Sequence, residues 1–217
     1  MTNAWQTVRL GEVLTARQEK PAPDDVESGA IRIVSKIGFN DGKIQLRIGG
    51  DTKTGMILAS PGDLIVSGIN AVKGAIAIYD EKAIAPLAAT IHYGSYHPNR
   101  ERVDIHFLWW LLRSQVFREI LLQNLPGGIQ SELKPQRFLS VPIPLPSLAE
   151  QQRIVARVDA LARRVEEARG LRRAAVNEAQ AIITSALHEI FVTNVDNWNK
   201  MPMPDAIAFN DRQIDPT

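Results

Sequence analysis

Over roughly the first hundred positions, apolar residues come in short β-branched bursts separated by turn-forming residues. Further along they recur at helical spacing. Ile31 to Ile37 and Lys43 to Ile48 flank Asn40-Asp41-Gly42, which predicts a hairpin turning at Asp41-Gly42. Met56 to Ala59, Asp63 to Ser67, Gly74 to Tyr79 and Ala88 to Tyr93 read as four more strands, divided by Pro61-Gly62, Gly68 to Lys73 and Glu81 to Pro86. Ahead of them, Trp5 to Arg17 reads as a strand or turn with a short helix, and Pro21 to Gly29 as a polar loop. Ile105 to Asn124 is predicted to be one helix, with Phe107, Leu108, Leu111, Leu112, Phe117, Ile120 and Leu121 on a broad apolar face that covers the sheet. The expected class is α+β: a globular domain with a curled, mainly antiparallel sheet and a covering helix, followed by a long coiled-coil helix.

The boundary between the two parts lies at Val141-Pro142-Ile143-Pro144-Leu145-Pro146. Proline at alternate positions fixes φ and removes backbone donors, so this strap is extended. Ser147 supplies an N-cap with Glu150 three residues on, the spacing of a capping box, so a helix should start at about Leu148. No proline interrupts the pattern before about Phe191. Ile154, Val158, Leu161, Val165, Ala168, Arg172, Ala175, Ala179, Ile182 and Ala186 fall at alternating four- and three-residue steps, and Arg172 alone is polar. A rod of this length, about 65 Å at 1.5 Å per residue, exceeds what the preceding domain can cover and calls for a partner. Gly170 leaves a second reading open, in which two helices fold back on each other at that point. The expected organisation is a globular domain over 1–146, a spacer and dimerisation helix over 147–192, and a tail over 193–217.

Composition changes this picture mainly by exclusion. The chain has 217 residues, 45% of them hydrophobic, enough for one buried core and an extended element. It contains no cysteine, which removes disulfides and thiolate metal sites and fits a reducing cytoplasm. No apolar run approaches the length of a membrane span. Net charge is +1, so bulk charge does not announce nucleic acid. Arg153, Arg157, Arg163, Arg164, Arg169, Arg172 and Arg173 nevertheless crowd the first half of the long helix, while its second half lacks Lys and Arg. Such a run serves either as a solvated, salt-bridged face or as a contact for phosphates or an acidic partner. There is no glycine-rich phosphate loop, paired-histidine helix or serine elbow. His92, His97 and His106 have irregular spacing and no companion carboxylates, so no metal or cofactor is expected. The Asn-Pro-Pro-aromatic loop of amino methyltransferases is also missing.

Several segments in order resemble a known family. Leu125-Pro126-Gly127-Gly128-Ile129-Gln130-Ser131-Glu132-Leu133, then Phe138-Leu139, the strap Ile143-Pro144-Leu145-Pro146 and Glu150-Gln151-Gln152-Arg153-Ile154-Val155, are similar to the end of a target recognition domain and the start of the spacer helix in specificity subunits of type I restriction-modification systems. Trp5-Gln6-Thr7-Val8-Arg9-Leu10-Gly11-Glu12-Val13, Pro61-Gly62-Asp63-Leu64-Ile65-Val66-Ser67 and Lys73-Gly74-Ala75 resemble further landmarks. The resemblance implies a DNA-reading protein without catalysis of its own. Its implied partners are double-stranded DNA, methyltransferase subunits and, through them, a translocating nuclease. Full-length members carry two recognition domains separated by two antiparallel helices, whereas this chain has one of each, so a homodimer or a pairing with another half is expected. Trp198-Asn199-Lys200-Met201-Pro202-Met203-Pro204-Asp205-Ala206-Ile207 repeats the pattern of Trp5 to Leu14, as the start of a truncated second repeat would.

DNA reading needs cations for phosphates and amides, hydroxyls or guanidinium groups for base edges. The best-placed candidates are Lys36 and Asn40 near the hairpin turn, Asn70 and Lys73 in the loop Ser67 to Lys73, and Gln130, Ser131, Lys134 and Arg137 in the loop Gly127 to Arg137. Glycines flanking these loops would allow close backbone approach to a duplex, although Gly127-Gly128 also suits a plain helix cap. The expected dimer seam is Ile154, Val158, Leu161, Val165, Ala168, Ala175 and Ile182. A competing reading is a coiled-coil interaction adaptor whose globular head binds protein. A nuclease or methyltransferase domain ranks last, because no carboxylate cluster is found.

Overall fold

The computed structural model describes residues 5–49, 54–124 and 132–193. In chain order the elements are β1 (Gln6–Arg9), β2 (Leu14–Ala16), α1 (Pro23–Glu27), β3 (Arg32–Ile37), β4 (Ile44–Arg47), β5 (Met56–Ala59), β6 (Leu64–Ser67), β7 (Ile76–Ile78), β8 (Leu87–Thr90), β9 (Tyr93–Pro98), α2 (Ile105–Leu112), α3 (Gln115–Asn124), α4 (Pro135–Ser140), β10 (Pro142–Leu145) and α5 (Leu148–His188). They form two compact units, Met1–Asp159 and Ala160–Thr217.

The first unit stacks two four-stranded sheets, ordered β2-β9-β6-β7 and β4-β3-β8-β5, beside a two-stranded ribbon of β1 and β10. The fold is α+β, and the sheets are open. Alternation along single strands shows how the layers sit. On β6, Leu64 and Val66 join the core under the helices, whereas Ile65 joins a second core between the two sheets. On β3, Val34 faces that second core and Ile33 faces a third, outer core containing Val26 of α1. A strand covered on both faces reads as a continuous apolar run, which is why all four residues of β6 are buried.

The hairpin of β3 and β4 is antiparallel, as its turn residues predict. The proline strap forms β10, pairing Ile143 with Val8 and burying Ile143 and Leu145.

Several expectations are corrected. The polar loop Pro21 to Gly29 contains α1, with Pro23 at its first turn and Asp24 and Asp25 at its positive end. The run Ala88 to Tyr93 divides between β8 and β9, because β9 carries Gly94, Ser95 and His97 and gives little apolar signal. The single covering helix is two helices. Ser114 Oγ bonds Leu111 O at 2.6 Å and accepts from Phe117 N at 3.2 Å, closing α2 and capping α3 with one side chain. One strand pair, β3 with β8, is parallel.

The first turn of α5 is built largely as its sequence predicts. Glu150 N donates to Ser147 Oγ at 3.4 Å, but the Glu150 carboxylate turns to Arg153 at 2.7 and 2.8 Å instead of closing the capping box. Gln151 is fully buried: its Oε1 accepts from Asp104 N at 2.8 Å, and its Nε2 donates to Arg102 O at 3.1 Å and Pro146 O at 2.8 Å. Trp110 Nε1 donates to Asp159 Oδ1 at 2.9 Å.

In the second unit α5 runs without interruption through Gly170, against the folded-back alternative, and ends in a π-helical turn, Glu189–Thr193. Leu161, Val165, Leu171, Val176, Ile182 and Ile183 are all about half or more exposed there.

Candidate nucleic-acid interface

The tip of the β3–β4 hairpin is bound tightly to itself. Gly38 N donates to Lys43 O at 2.9 Å, Gly42 N to Gly38 O at 3.0 Å, and Lys43 N to the Asp41 carboxylate at 3.0 Å. Gly42 has φ +65°, a left-handed conformation open to glycine, and a Cβ there would lie 2.6 Å from Arg113 and 2.8 Å from Ile76 O. The reason for this crowding is the seat beneath the tip. Trp109 Nε1 donates to Ile76 O at 3.0 Å, the Arg113 guanidinium stacks 4.2 Å over the Trp109 ring, and Arg113 Nη2 donates to Phe39 O at 3.1 Å. Burial pushes the Arg113 pKa down, with Asp41 acting in the opposite direction. It stays a cation, and the aromatic face supplies part of the stabilisation that water would have given.

Sequence-distant candidates converge on this tip. The Lys36 ammonium stands 5.9 Å and the Lys73 ammonium 5.8 Å from the centre of the Phe39 ring, which is 40% exposed. Asn40 is the next residue of the tip and is exposed. Lys73 arrives there because Ala71–Lys73 forms a 3-10 turn closed by Gly74 at φ +84°. A Cβ on Gly74 would come within 3.0 Å of Phe39 O.

The 67–73 loop also meets the 132–137 segment. Leu133 N donates to Gly68 O at 2.8 Å, Gly68 N to His92 O at 2.7 Å, and His92 Nδ1 lies 2.8 Å from a Glu132 carboxylate oxygen. Gly68 has no room for a side chain: a Cβ would meet Leu133 O at 3.0 Å and His92 O at 3.1 Å. The close approach that Gly68 and Gly74 permit is therefore between protein segments, not to a duplex. Asn70 keeps its backbone in this turn, its N donating to Ser67 Oγ at 3.2 Å, and is half-buried. Lys134 precedes α4, Arg137 lies in its last turn, and both are exposed. Gln130 and Ser131 lie outside the described residues, as do the Leu125 to Ser131 stretch and the 194–217 tail.

Other polar groups of the head hold the fold together. Asp63 is fully buried and accepts from Arg17 Nε and Nη2, from Ser60 N at 2.9 Å and from Ser95 Oγ at 2.9 Å. The hydrogen bond to Asp63 raises the Arg17 pKa. His97 Nδ1 stands 3.6 Å from Asp63, while Asp104 caps α2 through the backbone N–H groups of His106 and Phe107. Among the described residues, no group of three or more His, Asp or Glu side chains is placed to hold a metal ion.

On α5, Ile154 packs against the head's own core together with Val155, and Val158 is half-buried. Of the other seam candidates, Leu161, Val165, Ala168, Ala175 and Ile182 are exposed.

Sequence reasoning missed Phe39, Arg113 and Trp109, and gave Gln151 no role beyond its place in the helix-start signature. An aromatic inside a turn cluster is the one available signal, and it marks Phe39 alone.

Comparison with known proteins places this geometry. The family described as type I restriction modification DNA specificity domain matches residues 3–172. The solved HsdS subunit from Thermoanaerobacter tengcongensis is 27% identical, with 87% of this chain and 50% of that chain covered and a TM-score of 0.67. A second structure, described as the structural basis underlying complex assembly and conformational transition of the type I R-M system, is 26% identical, with 94% and 53% covered and a TM-score of 0.70. The chain thus spans about half the length of each of these. No curated protein matches it.

Proposed function

The chain belongs to the type I restriction-modification DNA specificity family, and from that premise we propose that it is a non-catalytic reader of one half of a bipartite DNA target. In this reading the head, 1–146, contacts the duplex, and the helix, 147–192, docks methyltransferase subunits and pairs antiparallel with a second copy in the cytoplasm. The observation that carries the reading is the meeting of Lys36, Asn40 and Lys73 around Phe39 of the hairpin tip, with the loop that carries Lys73 bonded through Gly68 to the segment that bears Lys134. Cations that neutralise phosphates and an amide that reaches base edges are the two kinds of group a sequence reader needs.

The helix supports the pairing. Its seam is symmetric about position 170, so antiparallel copies would set Leu161 against Ala179, Val165 against Ala175, and Ala168 against Arg172. Leu161 and Val165 then meet alanines, while Val158 meets Ile182. A parallel pair would instead align the run Arg163, Arg164, Arg169, Arg172 and Arg173 with its own copy. An antiparallel pair about position 170 sets Arg163 level with position 177, beside Glu178, and Arg173 level with Glu167.

Two-fold symmetry predicts inverted half-sites separated by a fixed gap. Methylation mapping of cells that express the chain with the methyltransferase subunit encoded beside it tests this. The expected result is a gapped palindromic adenine-methylation motif that vanishes when the chain is deleted. An asymmetric bipartite motif would replace the homodimer with a pair of different halves, and no motif at all would put the protein-binding adaptor in its place.

A further inference from the structure

Phe39 is a large apolar side chain, 40% exposed, on a tip whose backbone is held from several sides. The tip carries internal hydrogen bonds, a left-handed glycine and a backbone carbonyl held by Arg113. Exposed rings are common, but this one has two ammonium groups within 6 Å that come from separate segments, Lys36 on β3 and Lys73 on the 3-10 turn. Core formation does not explain it, since Phe39 joins none of the three buried cores, whereas Ile37 and Ala75 do. An apolar ring flanked by phosphate-binding cations, and followed directly by Asn40, matches one kind of surface: a DNA groove, where phosphates border base edges and the only apolar group on the major-groove edge is the thymine C5-methyl.

We propose that Phe39 is a specificity-determining residue of the DNA interface, its ring packing on a thymine methyl group in the major groove while Lys36 and Lys73 hold the phosphates alongside. Arg113 and Trp109 are positioning residues. They fix the height and angle of the tip through the bond to Phe39 O and the stacked guanidinium, and touch no DNA. Ordering the tip before binding removes an entropic cost that a loose loop would bear at each encounter. This proposal rests on the DNA-reading function above and specifies one contact within it.

The test uses the full chain and duplexes selected from a randomised pool by the purified protein. Each thymine of the selected motif is replaced in turn by deoxyuridine, which lacks only the methyl group. The wild-type chain should lose about fourfold affinity at one thymine per half-site, the step expected for one buried methyl-sized group. Phe39→Ala should abolish that step and bind methylated and methyl-free duplexes alike, whereas Phe39→Leu should retain part of it. Lys36→Ala and Lys73→Ala should weaken motif and scrambled duplexes equally, each lowering the salt slope by about one. Arg113→Met should shrink the thymine step with the salt slope unchanged, a pattern that general loss of stability does not produce.

A wild-type thymine profile that Phe39→Ala leaves intact overturns the proposal, as does a motif with no thymine-sensitive position. Failure to select any motif would remove the DNA-reading function itself, a separate outcome from the loss of the Phe39 contact. Thermal melting of Phe39→Ala, expected to match wild type because the ring is already 40% exposed, separates a lost contact from a misfolded variant.

Discussion

The two units of this protein use the same apolar side chains to opposite ends. In the head, Leu64, Ile65, Ile33 and Leu108 are 0% exposed, each packed in one of the three layered cores or on a strand between them. In the helix beyond Asp159, Leu161 is 54%, Val176 61% and Ile182 65% exposed. The head buries most of its large apolar side chains internally, with Phe39, Ile48, Ile69, Ile84 and Ile91 among those it leaves exposed. The helix defers that burial, so its stability is tied to whatever covers the stripe. The difference is also one of polar chemistry. Asp63 and Gln151, both buried in the head, have specific partners, whereas the helix has solvent-facing ion pairs such as Glu166 with Arg169, worth little in water.

Four substitutions would break or sharpen that contrast. The largest effect belongs to the head: Phe138→Ala removes a fully buried ring packed 4.8 Å from Tyr96 and 6.5 Å from Phe117. It should cost about 3–5 kcal/mol in chemical denaturation. A loss below about 1 kcal/mol would mean the core under the helices is loosely packed.

Next comes Leu161→Asp in the helix, which should leave head unfolding unchanged but weaken self-association by thirtyfold or more in sedimentation equilibrium, at about 2 kcal/mol for two lost leucines. Unaltered association would remove the seam from the interface. Gln151→Ala lies at the meeting of the two kinds of behaviour. It strands Asp104 N, Arg102 O and Pro146 O, and should destabilise the head by about 2 kcal/mol while hydrogen exchange speeds up in the first turn of α5. Protection unchanged at residues 148–152 would show that the apolar contacts of Ile154 and Val155 suffice. The smallest effect has the opposite sign. A Cβ on Gly170 would meet nothing within 4 Å, so Gly170→Ala should raise helix stability by about 0.5–1 kcal/mol in a thermal melt. A destabilisation would reveal close packing at that point by a partner.

Legibility in the sequence followed the range of the interaction that builds each feature. The hairpin turn at Asp41-Gly42 and the extended strap before Ser147 are written in neighbouring residues, and both stand where they are expected. The division at Ser114 was hidden because apolar periodicity continues across it, although a serine there is a helix cap as readily as a helix member. β9 escaped notice because Ser95 is buried against Asp63, a compensation invisible without the fold. At the candidate interface, residue type picked out Lys36, Asn40 and Lys73 one at a time. Their convergence on Phe39 depends on Gly74 and Arg113, which belong to different segments.

By itself, then, the sequence determined the α+β class, most strand positions and the start of α5 near Leu148. Each of these is decided by backbone preference or by periodicity over a few turns. Only the tertiary structure decided that two sheets stack instead of one curling, that β3 runs parallel to β8, that Gln151 ties the helix start to the head, and that an arginine on a tryptophan carries the hairpin tip. Those features come from contacts between residues far apart in the chain, whose energies depend on mutual burial and geometry and leave no local pattern to read.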